Sequence, residues 1–266
     1  MTEQTTLWNG VAGRAWVDTQ ELLDRVFKPF ETLLVNEVGT KRRVLDVGCG
    51  TGATTVAIAR ALGPDSEVVG VDISEPMVQA ARERGSSASF VCANAQTHAF
   101  DGPFDMVVSR FGVMFFDDPV AAFGNLRRVA NEMRLITWRG PAENPFMTTA
   151  ERAAAPLLDL PPRVPDAPGQ FGLADPQRIE RSLRESGWTD IDIRPLDVAC
   201  SFAEADLVSY FTRLGPVGLV FREVDEQTQG QVIETVGEAF RQYVQGGEVR
   251  FPAACWLVSA RSGAAC

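Results

Sequence analysis

A glycine-rich stretch near residue 50 has the clearest chemical meaning in this sequence. It reads Val44-Leu45-Asp46-Val47-Gly48-Cys49-Gly50-Thr51-Gly52, at the end of a predicted strand and the start of a predicted helix. Glycine lets the backbone turn sharply and lets a ligand approach the main chain without a Cβ in the way. The N-terminus of the helix supplies N–H groups that no helical carbonyl accepts. The stretch therefore predicts a cofactor-binding loop.

Two features of this loop distinguish between the cofactors that it could bind. The spacing is GxGxG, whereas the fingerprint of nicotinamide and flavin dinucleotides is GxGxxG. Asp46 also ends the strand where a pyrophosphate would lie, and its carboxylate would repel that anion but attract an ammonium group. S-adenosylmethionine carries an ammonium, a sulfonium and a single carboxylate, so the acidic strand end favours it over a dinucleotide.

An acidic residue downstream supports an adenosine-containing cofactor. Asp72 closes the second predicted strand, 20 residues after Gly52. A carboxylate at this position accepts hydrogen bonds from ribose hydroxyls. Such a carboxylate fits S-adenosylmethionine and a dinucleotide equally, so it does not distinguish between these cofactors. Cys49 lies inside the loop, where small residues of several kinds would serve, so it is not expected to act as a nucleophile.

The elements around the loop alternate between strand and helix. Strands are predicted at 43–48, 67–72, 88–92, 104–109 and 134–138, and helices at 53–62, 75–84 and 119–130. Such alternation predicts a parallel sheet wound on both sides, and right-handed crossovers favour a Rossmann-like topology. The fold class is therefore α/β: a doubly wound, mostly parallel, seven-stranded sheet with an N-terminal helical cap and an insertion between its last two strands.

Three regions are expected along the chain. Residues 1–40 form the helical cap, which includes an apolar helix over 19–36 with a kink at Pro29, and residues 41–140 form the cofactor-binding core. Residues 141–266 contribute two substrate-covering segments, 141–175 and 203–247, and the last two strands. The first of these is rich in proline, and the second contains predicted helices at 203–213 and 225–245. Apolar residues of the insertion could face a substrate cavity or a second subunit of a homo-oligomer; they are Phe211, Leu214, Val217, Leu219 and Phe221.

The amino-acid composition limits which binding partners and which cellular compartment are expected. The net charge is −10, which argues against a nucleic-acid partner because phosphate binding requires a basic face. The five cysteines lack metal-binding spacing and fit reduced thiols in the cytoplasm, so no metal site is expected. The N-terminus does not read as a signal peptide, and no apolar run is long enough for a membrane span.

The segments VLDVGCGTG and GVDIS resemble those of class I S-adenosylmethionine-dependent methyltransferases, and most closely the ubiquinone/menaquinone-type small-molecule branch. Further segments extend the resemblance over most of the chain: WNGVAGRAW, SRFGVMFFDDP, NLRRV, WRGPAENPFM and AACWLVSAR. The resemblance implies S-adenosylmethionine as cofactor and a small molecule as methyl acceptor.

The resemblance also implies roles for individual residues. Cofactor contacts are expected from Asp46, Gly48, Cys49, Gly50, Thr51, Gly52, Asp72, Ile73, Met77, Asn94, Ala95, Gln96 and Ser109. Substrate or cap contacts are expected from Trp8, Trp16, Arg110, Phe111 and Met114. Two features depart from the family pattern: Asn94 replaces an acidic residue, and Val129–Arg134 replaces a Pro-Gly-Gly-type turn. The connection around Gly85–Ser87 is also short.

The expected reaction is in-line transfer of a methyl group to a hydrophobic small molecule, such as a secondary metabolite or a quinone-like or prenylated ring. His98 is the only histidine and the one candidate for an imidazole base, although packing beside the adenine pocket is the favoured role. Two alternatives stay open. One is a protein of this fold that binds the cofactor without methyl transfer, and the other is a dinucleotide-dependent oxidoreductase.

Overall fold

A single mixed β-sheet passes through the middle of the structure, a computed structural model in which residues 2–263 are described. Its strands are β1 (Arg43–Val47), β2 (Glu67–Asp72), β3 (Ser89–Cys92), β4 (Phe104–Arg110), β5 (Ala130–Trp138), β6 (Trp188–Ala203), β7 (Val244–Gln245) and β8 (Glu248–Ser262). Their order is β3-β2-β1-β4-β5-β8-β6, and β7 pairs with β8. The pairs among β1 to β5 are parallel, and β8 runs antiparallel to both β5 and β6.

Helices flank this sheet and connect its strands. They are α1 (Glu3–Asn9), α2 (Val11–Asp18), α3 (Gln20–Val26), α4 (Lys28–Val38), α5 (Ala53–Leu62), α6 (Glu75–Glu83), α7 (Pro119–Arg127), α8 (Thr149–Ala154), α9 (Pro176–Glu185), α10 (Leu207–Arg213), α11 (Gly215–Val220) and α12 (Glu226–Phe240). Short 3₁₀ turns lie at Gly112–Phe115, Pro145–Thr148, Glu204–Asp206, Phe221–Glu223 and Arg241–Tyr243. Within the described residues, no helix has the length and apolar character needed to cross a bilayer.

The Rossmann-like, mostly parallel α/β architecture is confirmed. Seven strands form the main path of the sheet, as predicted, and the two-residue β7 is an addition to it. The central strands have the apolar character of strands covered on both faces. Val44, Leu45, Val107, Val108 and Ile136 are fully buried in the core.

Several predicted element boundaries were wrong. The helix expected over 19–36 is divided into α3 and α4 at Phe27, and Pro29 lies in the first turn of α4, where its missing N–H costs nothing. In the insertion, Leu214 is extended and Gly215 has a φ of +66°, so a third helix, α11, begins there. The helix expected to reach residue 245 ends at Phe240 in a 3₁₀ turn before β7.

The replacement for the Pro-Gly-Gly-type turn is a very short connection. Helix α7 ends at Arg127 and β5 begins at Ala130, earlier than the predicted residue 134. The Val129 carbonyl accepts a hydrogen bond of 2.6 Å from the Phe104 amide at the start of the neighbouring β4. The chain therefore enters the sheet directly, and no glycine turn is needed.

One asparagine attaches the segment 141–175 to the sheet. Asn144 is fully buried, and its Oδ1 accepts from the Ala254 amide on β8 at 2.9 Å. Its Nδ2 donates to the carbonyls of Ala254 and Arg139, at 2.9 and 3.1 Å. The side chain thus satisfies backbone groups that a buried loop would otherwise leave without partners.

We expect Asn144→Ala to lower the free energy of unfolding by about 3 kcal/mol, because it leaves buried backbone groups unsatisfied. Urea unfolding followed by tryptophan fluorescence measures this. The matched control is Asn131→Ala, since Asn131 is exposed at the start of β5. Equal stability of the two variants would contradict the anchoring role of Asn144.

Candidate cofactor and substrate site

A cavity of about 840 Å³ opens at the carboxyl ends of the parallel strands. This volume lies in the upper part of the range of small-molecule sites, about 300–1,000 Å³. The walls come from α1 to α3, the ends of β1 to β5, the segment 141–175 and the insertion between β6 and β8. Ligands of open α/β sheets bind at this edge.

The glycine loop between β1 and α5 requires glycine for two reasons. Gly48, Gly50 and Gly52 all have positive φ, at 68°, 55° and 84°. A Cβ on Gly48 would also lie 2.5 Å from the Cα of Gly112, in the turn after β4. The loop after β1 therefore packs directly on the backbone of the loop after β4, and this close approach sets the floor of the cavity.

The amides of the glycine loop are mostly used within the protein. Four of them donate to protein acceptors, and these are the amides of Gly48, Cys49, Gly50 and Gly52. Gly48 and Cys49 both donate to the Val71 carbonyl, at 2.8 and 3.1 Å, and Gly52 donates to the Cys49 carbonyl at 3.0 Å. The Gly50 amide donates to Oδ2 of Asp72 at 2.8 Å. The loop thus keeps few N–H groups for an anionic ligand.

Asp72 lies at the end of β2, where the loop meets the cavity. Its carboxylate accepts from the amides of Gly50 and Ser74, at 2.8 and 2.9 Å. Burial raises the pKa of Asp72, while the two backbone donors oppose the shift. Since a carboxylate has about four lone-pair sites, it can still accept from the hydroxyls of a ligand.

Asp46 occupies a different place from the one that the sequence predicted. It is 1% exposed and is not among the cavity-lining residues. Its Oδ2 accepts a hydrogen bond of 2.7 Å from the Thr55 hydroxyl on α5, beneath the loop. The expected direct contact with an ammonium group is therefore not supported. Burial raises the pKa of Asp46 to about 6, and the hydrogen bond from Thr55 opposes this.

Arg110 ends β4 and carries the positive charge that faces the cavity beside the glycine loop. Its guanidinium lies 5.5 Å from the ring centroid of Phe27, and its Nη1 is buried without a hydrogen-bond partner. Burial lowers its pKa, and the nearby carboxylate of Asp46 opposes that shift. A buried donor without an acceptor is rare in folded proteins, so Nη1 marks a place for an anionic or polar group of a ligand.

The structure brings most of the predicted site residues together. The cavity is lined by Trp8, Trp16, Gly48, Gly50, Asp72, Ile73, Met77, Asn94, Ala95, Gln96, Arg110, Phe111 and Met114. It is not lined by Asp46, Cys49, Thr51, Gly52, His98 or Ser109. Ser109 faces the sheet instead, since its Oγ donates to the Val47 carbonyl at 2.7 Å. Thr51 accepts from Arg84 on its outer side.

His98 lies away from the cavity. Its ring packs edge-on against Phe100, at 4.9 Å between centroids, and its carbonyl accepts from Asn125 at 2.8 Å. The cysteines offer no alternative base, because burial raises the pKa of Cys49, Cys92, Cys200 and Cys255 and keeps these thiols protonated. Cys266 lies outside the described residues. Within the described part of the chain, no group of side chains could hold a metal ion.

The N-terminal cap is held over the cavity by hydrogen bonds to the turn after β2. Asn9 donates to the Ile73 carbonyl at 3.0 Å and accepts from the Glu75 amide at 2.9 Å. The Ser74 hydroxyl donates to the Trp8 carbonyl at 2.6 Å. These bonds place the Trp8 ring 5.0 Å from that of Phe115, at the cavity wall.

Aromatic rings form the wall of the cavity next to the loop after β4. Phe111 has a φ of +67°, which a non-glycine residue adopts only at a cost. Its ring stacks on Trp138 at 4.5 Å and meets Phe27 edge-on at 5.3 Å. The stack fixes Phe111 directly beside Arg110, where the apolar part of the cavity begins.

The apolar residues of the insertion were expected to face either a substrate cavity or a second subunit, and most of them line the cavity. Phe211, Leu214, Val217 and Leu219 line it, whereas Phe221 does not. Sequence reasoning missed Gln4 and Tyr210, which also line it. Gln4 lies one helical turn before Trp8, and Tyr210 precedes Phe211 in an amphipathic segment, but neither spacing indicates what the side chain faces.

Fold and site together have the features of a Rossmann-like methyltransferase. Residues 44–132 match the family model of a methyltransferase domain. Nocamycin O-methyltransferase of Saccharothrix syringae is 30% identical over 187 residues, which cover 62% of this chain and 66% of that protein. Demethylmenaquinone methyltransferase of Staphylococcus aureus is 33% identical over 108 residues, which cover 38% and 45%. These matches support a class I S-adenosylmethionine-dependent methyltransferase.

A solved structure shows the same fold over nearly the whole chain. Magnesium protoporphyrin IX methyltransferase of Synechocystis PCC 6803, with S-adenosylhomocysteine bound, superposes with a TM-score of 0.56 at 15% identity. The match covers 97% of this chain and 98% of that one. In contrast, the matches to the two sequence relatives span 66% and 45% of their lengths.

We expect Asp46→Asn to change how stability depends on pH. Because the folded-state pKa of about 6 lies above the ordinary 3.8, Asp46 stabilises the fold most at low pH. This contribution is lost as pH rises through 6, and a shift of this size corresponds to on the order of 3 kcal/mol. Asparagine can still accept from Thr55 but does not titrate. Urea unfolding between pH 4 and 7.5 should show wild type losing stability relative to Asp46→Asn, and parallel curves would refute the assignment.

Proposed function

We propose that this protein binds S-adenosylmethionine and transfers its methyl group to a small, mostly apolar molecule. The observation that carries the proposal is how the glycine loop uses its amides. Four of them donate inside the protein, and the neighbouring strands bring a carboxylate, Asp72 at the end of β2, and a cation, Arg110 at the end of β4, to the cavity on either side of the loop. This combination suits a nucleoside with an amino-acid tail.

A dinucleotide fits this site less well. Pyrophosphate binding at a glycine loop relies on free backbone N–H groups at the helix start. Here the Gly50 amide is occupied by Asp72 at 2.8 Å, and a diphosphate at that point would lie against a carboxylate. The argument against a dinucleotide thus rests on Asp72 and the occupied amides, and no longer on Asp46.

The strand order supplies an arrangement for the cofactor. Because β3, β2, β1 and β4 are neighbours, the groups at their carboxyl ends follow one another along the cavity. Asn94 to Gln96 would hold the adenine, Asp72 the ribose hydroxyls, and Gly48 and Gly50 the backbone of the methionine part. Arg110 would hold its carboxylate, because the buried Nη1 has no other partner.

When bound, the cofactor supplies an electrophilic methyl group on a sulfonium. The residues of this chain would contribute orientation and exclusion of water: the aromatic wall of Phe111 and Trp138 on one side, and the covering segments on the other. His98, distant from the cavity, would not act as a base. The acceptor would therefore be a nucleophile that needs no histidine to remove its proton.

The walls of the cavity support an apolar substrate. Beyond Arg110 the cavity is lined mainly by aromatic and aliphatic side chains of the two covering segments. Two relatives are named as methyltransferases of nocamycin and of demethylmenaquinone, which supports a small-molecule acceptor. We also propose a cytoplasmic protein that does not bind nucleic acid, in keeping with its net charge of −10.

Calorimetry with S-adenosylhomocysteine and with NAD⁺ tests the cofactor. We expect micromolar binding of the first and no measurable binding of the second, and the reverse would overturn the proposal. Methyl transfer is tested with radiolabelled S-adenosylmethionine and a panel of apolar phenols and quinols. Cofactor binding without labelled product across the panel would instead support a protein that binds the cofactor without methyl transfer.

Arg110→Met should weaken binding of S-adenosylhomocysteine by about 10- to 100-fold, since a buried charge-assisted hydrogen bond is lost. Binding of 5′-methylthioadenosine should stay within about 2-fold, because that ligand lacks the amino-acid carboxylate and the bond is absent from the start. Arg42→Met is the matched control, since Arg42 is exposed. An equal loss for both ligands would show that Arg110 supports the fold of the site and not the carboxylate.

A further inference from the structure

The covering segments present charged side chains to the cavity, but most of these are already paired. Glu151 forms an ion pair with Arg163, and Asp166 pairs with Arg178 at 3.0 Å. Asp175 caps α9 by accepting from the Gln177 amide at 3.0 Å. These groups therefore have partners within the protein, and a substrate gains little by competing for them.

Tyr210, in the insertion, differs from these charged side chains because its polar group has no strong partner within the protein. It lies on α10 and lines the cavity, and its hydroxyl contacts only the Met147 sulfur, at 3.5 Å. A thioether is a weak acceptor, so the hydroxyl proton lacks an oxygen or nitrogen partner among the described residues. Leaving a half-buried hydroxyl in this state costs free energy that a ligand oxygen would recover.

The ring of Tyr210 is held firmly enough to aim this hydroxyl. It stacks on Phe202 at 5.1 Å between centroids, and it meets Phe146 at 5.7 Å and Phe240 at 6.4 Å. Contacts on several sides leave the ring little freedom, so the position of its oxygen is fixed by packing and not by a ligand.

Burial also settles the protonation state of Tyr210. It raises the pKa of the phenol above its ordinary value, and the neighbouring Cys200 adds to the shift. Tyr210 therefore stays neutral at physiological pH and is a hydrogen-bond donor, not a base. Among the described residues of the covering segments named above, Tyr210 has no unpaired cation beside it. An anionic ligand group at this place is therefore disfavoured.

We infer that the Tyr210 hydroxyl donates a hydrogen bond to an uncharged oxygen acceptor, such as a ketone or quinone carbonyl, on an otherwise apolar substrate. This inference adds detail to the proposed function. It rests on that function in one respect, namely that the cavity is the substrate site. Tyr210 acts here as a specificity-determining residue, which selects oxygen-bearing rings over hydrocarbons of the same shape.

A pair of probes that differ at one oxygen tests this inference. These are 2-acetylnaphthalene and 2-ethylnaphthalene, which share a ring system and nearly a shape. Binding is followed by quenching of tryptophan fluorescence, with and without S-adenosylhomocysteine. Wild type should bind the ketone about 5-fold more tightly than the hydrocarbon, the effect of one hydrogen bond. In Tyr210→Phe this preference should fall to about 1, with the hydrocarbon affinity unchanged.

Tyr243→Phe is the matched control, because Tyr243 packs against Phe146 and Phe240 but is not among the cavity-lining residues. It should keep the 5-fold preference. Equal affinities in wild type, no measurable binding of either probe, or a preference that survives in Tyr210→Phe would each overturn the inference. A ketone preference in a protein that fails to bind S-adenosylhomocysteine would leave Tyr210 supported and the proposed function refuted.

Discussion

The hydrogen bond from the Gly50 amide to the Asp72 carboxylate is the contact on which the site depends. It joins the loop after β1 to the end of β2, and the Val71 carbonyl reinforces the joint by accepting from the two preceding loop amides. Because the loop is fixed by the neighbouring strand and not by a ligand, its shape exists before any cofactor arrives. Preorganisation of this kind reduces the ordering that binding would otherwise require.

The same bond determines which ligands the loop can receive. Because most loop amides donate within the protein, the charged groups at this end of the cavity come from the neighbouring strands, the carboxylate from Asp72 on β2 and the cation from Arg110 on β4. Gly48 and Gly112 bring these two loops into backbone contact, where a Cβ would lie 2.5 Å from the opposite Cα. The polarity of the site thus depends on the ends of β1, β2 and β4 held together, and no single loop provides it.

Much of the fold could be predicted from the sequence because local signals agreed with the architecture. Buried strands such as β1 and β4 are rich in apolar residues, and the GxGxG loop marked the edge of the sheet that binds ligands. The positions of side chains could not be predicted in the same way. Asp46 has the residue type and spacing expected of a ligand-binding acid, yet its carboxylate accepts a hydrogen bond from Thr55 on α5. Nothing in the local sequence distinguishes an acidic residue that faces a ligand from one that faces a helix.

Residues that become important only through tertiary contacts were the hardest to predict. Tyr210 lies in a segment whose apolar pattern fits either a cavity wall or a subunit interface, and only the fold shows which face is turned inward. Helix α11 was missed for a related reason. No helix was predicted between residues 213 and 225, and the turn at the extended Leu214 and at Gly215, from which α11 begins, has no clear signal in the local sequence.

The insertion between β6 and β8 is fastened at both ends to one antiparallel pair at the edge of the sheet. The loops that would hold the cofactor come from the opposite half, at β1 to β4. Mutations in α10 to α12 can therefore alter the far wall of the cavity while the nucleoside end keeps its geometry. A lineage with this layout can change the molecules it accepts by accumulating substitutions in one module, without rebuilding the part that all such proteins share.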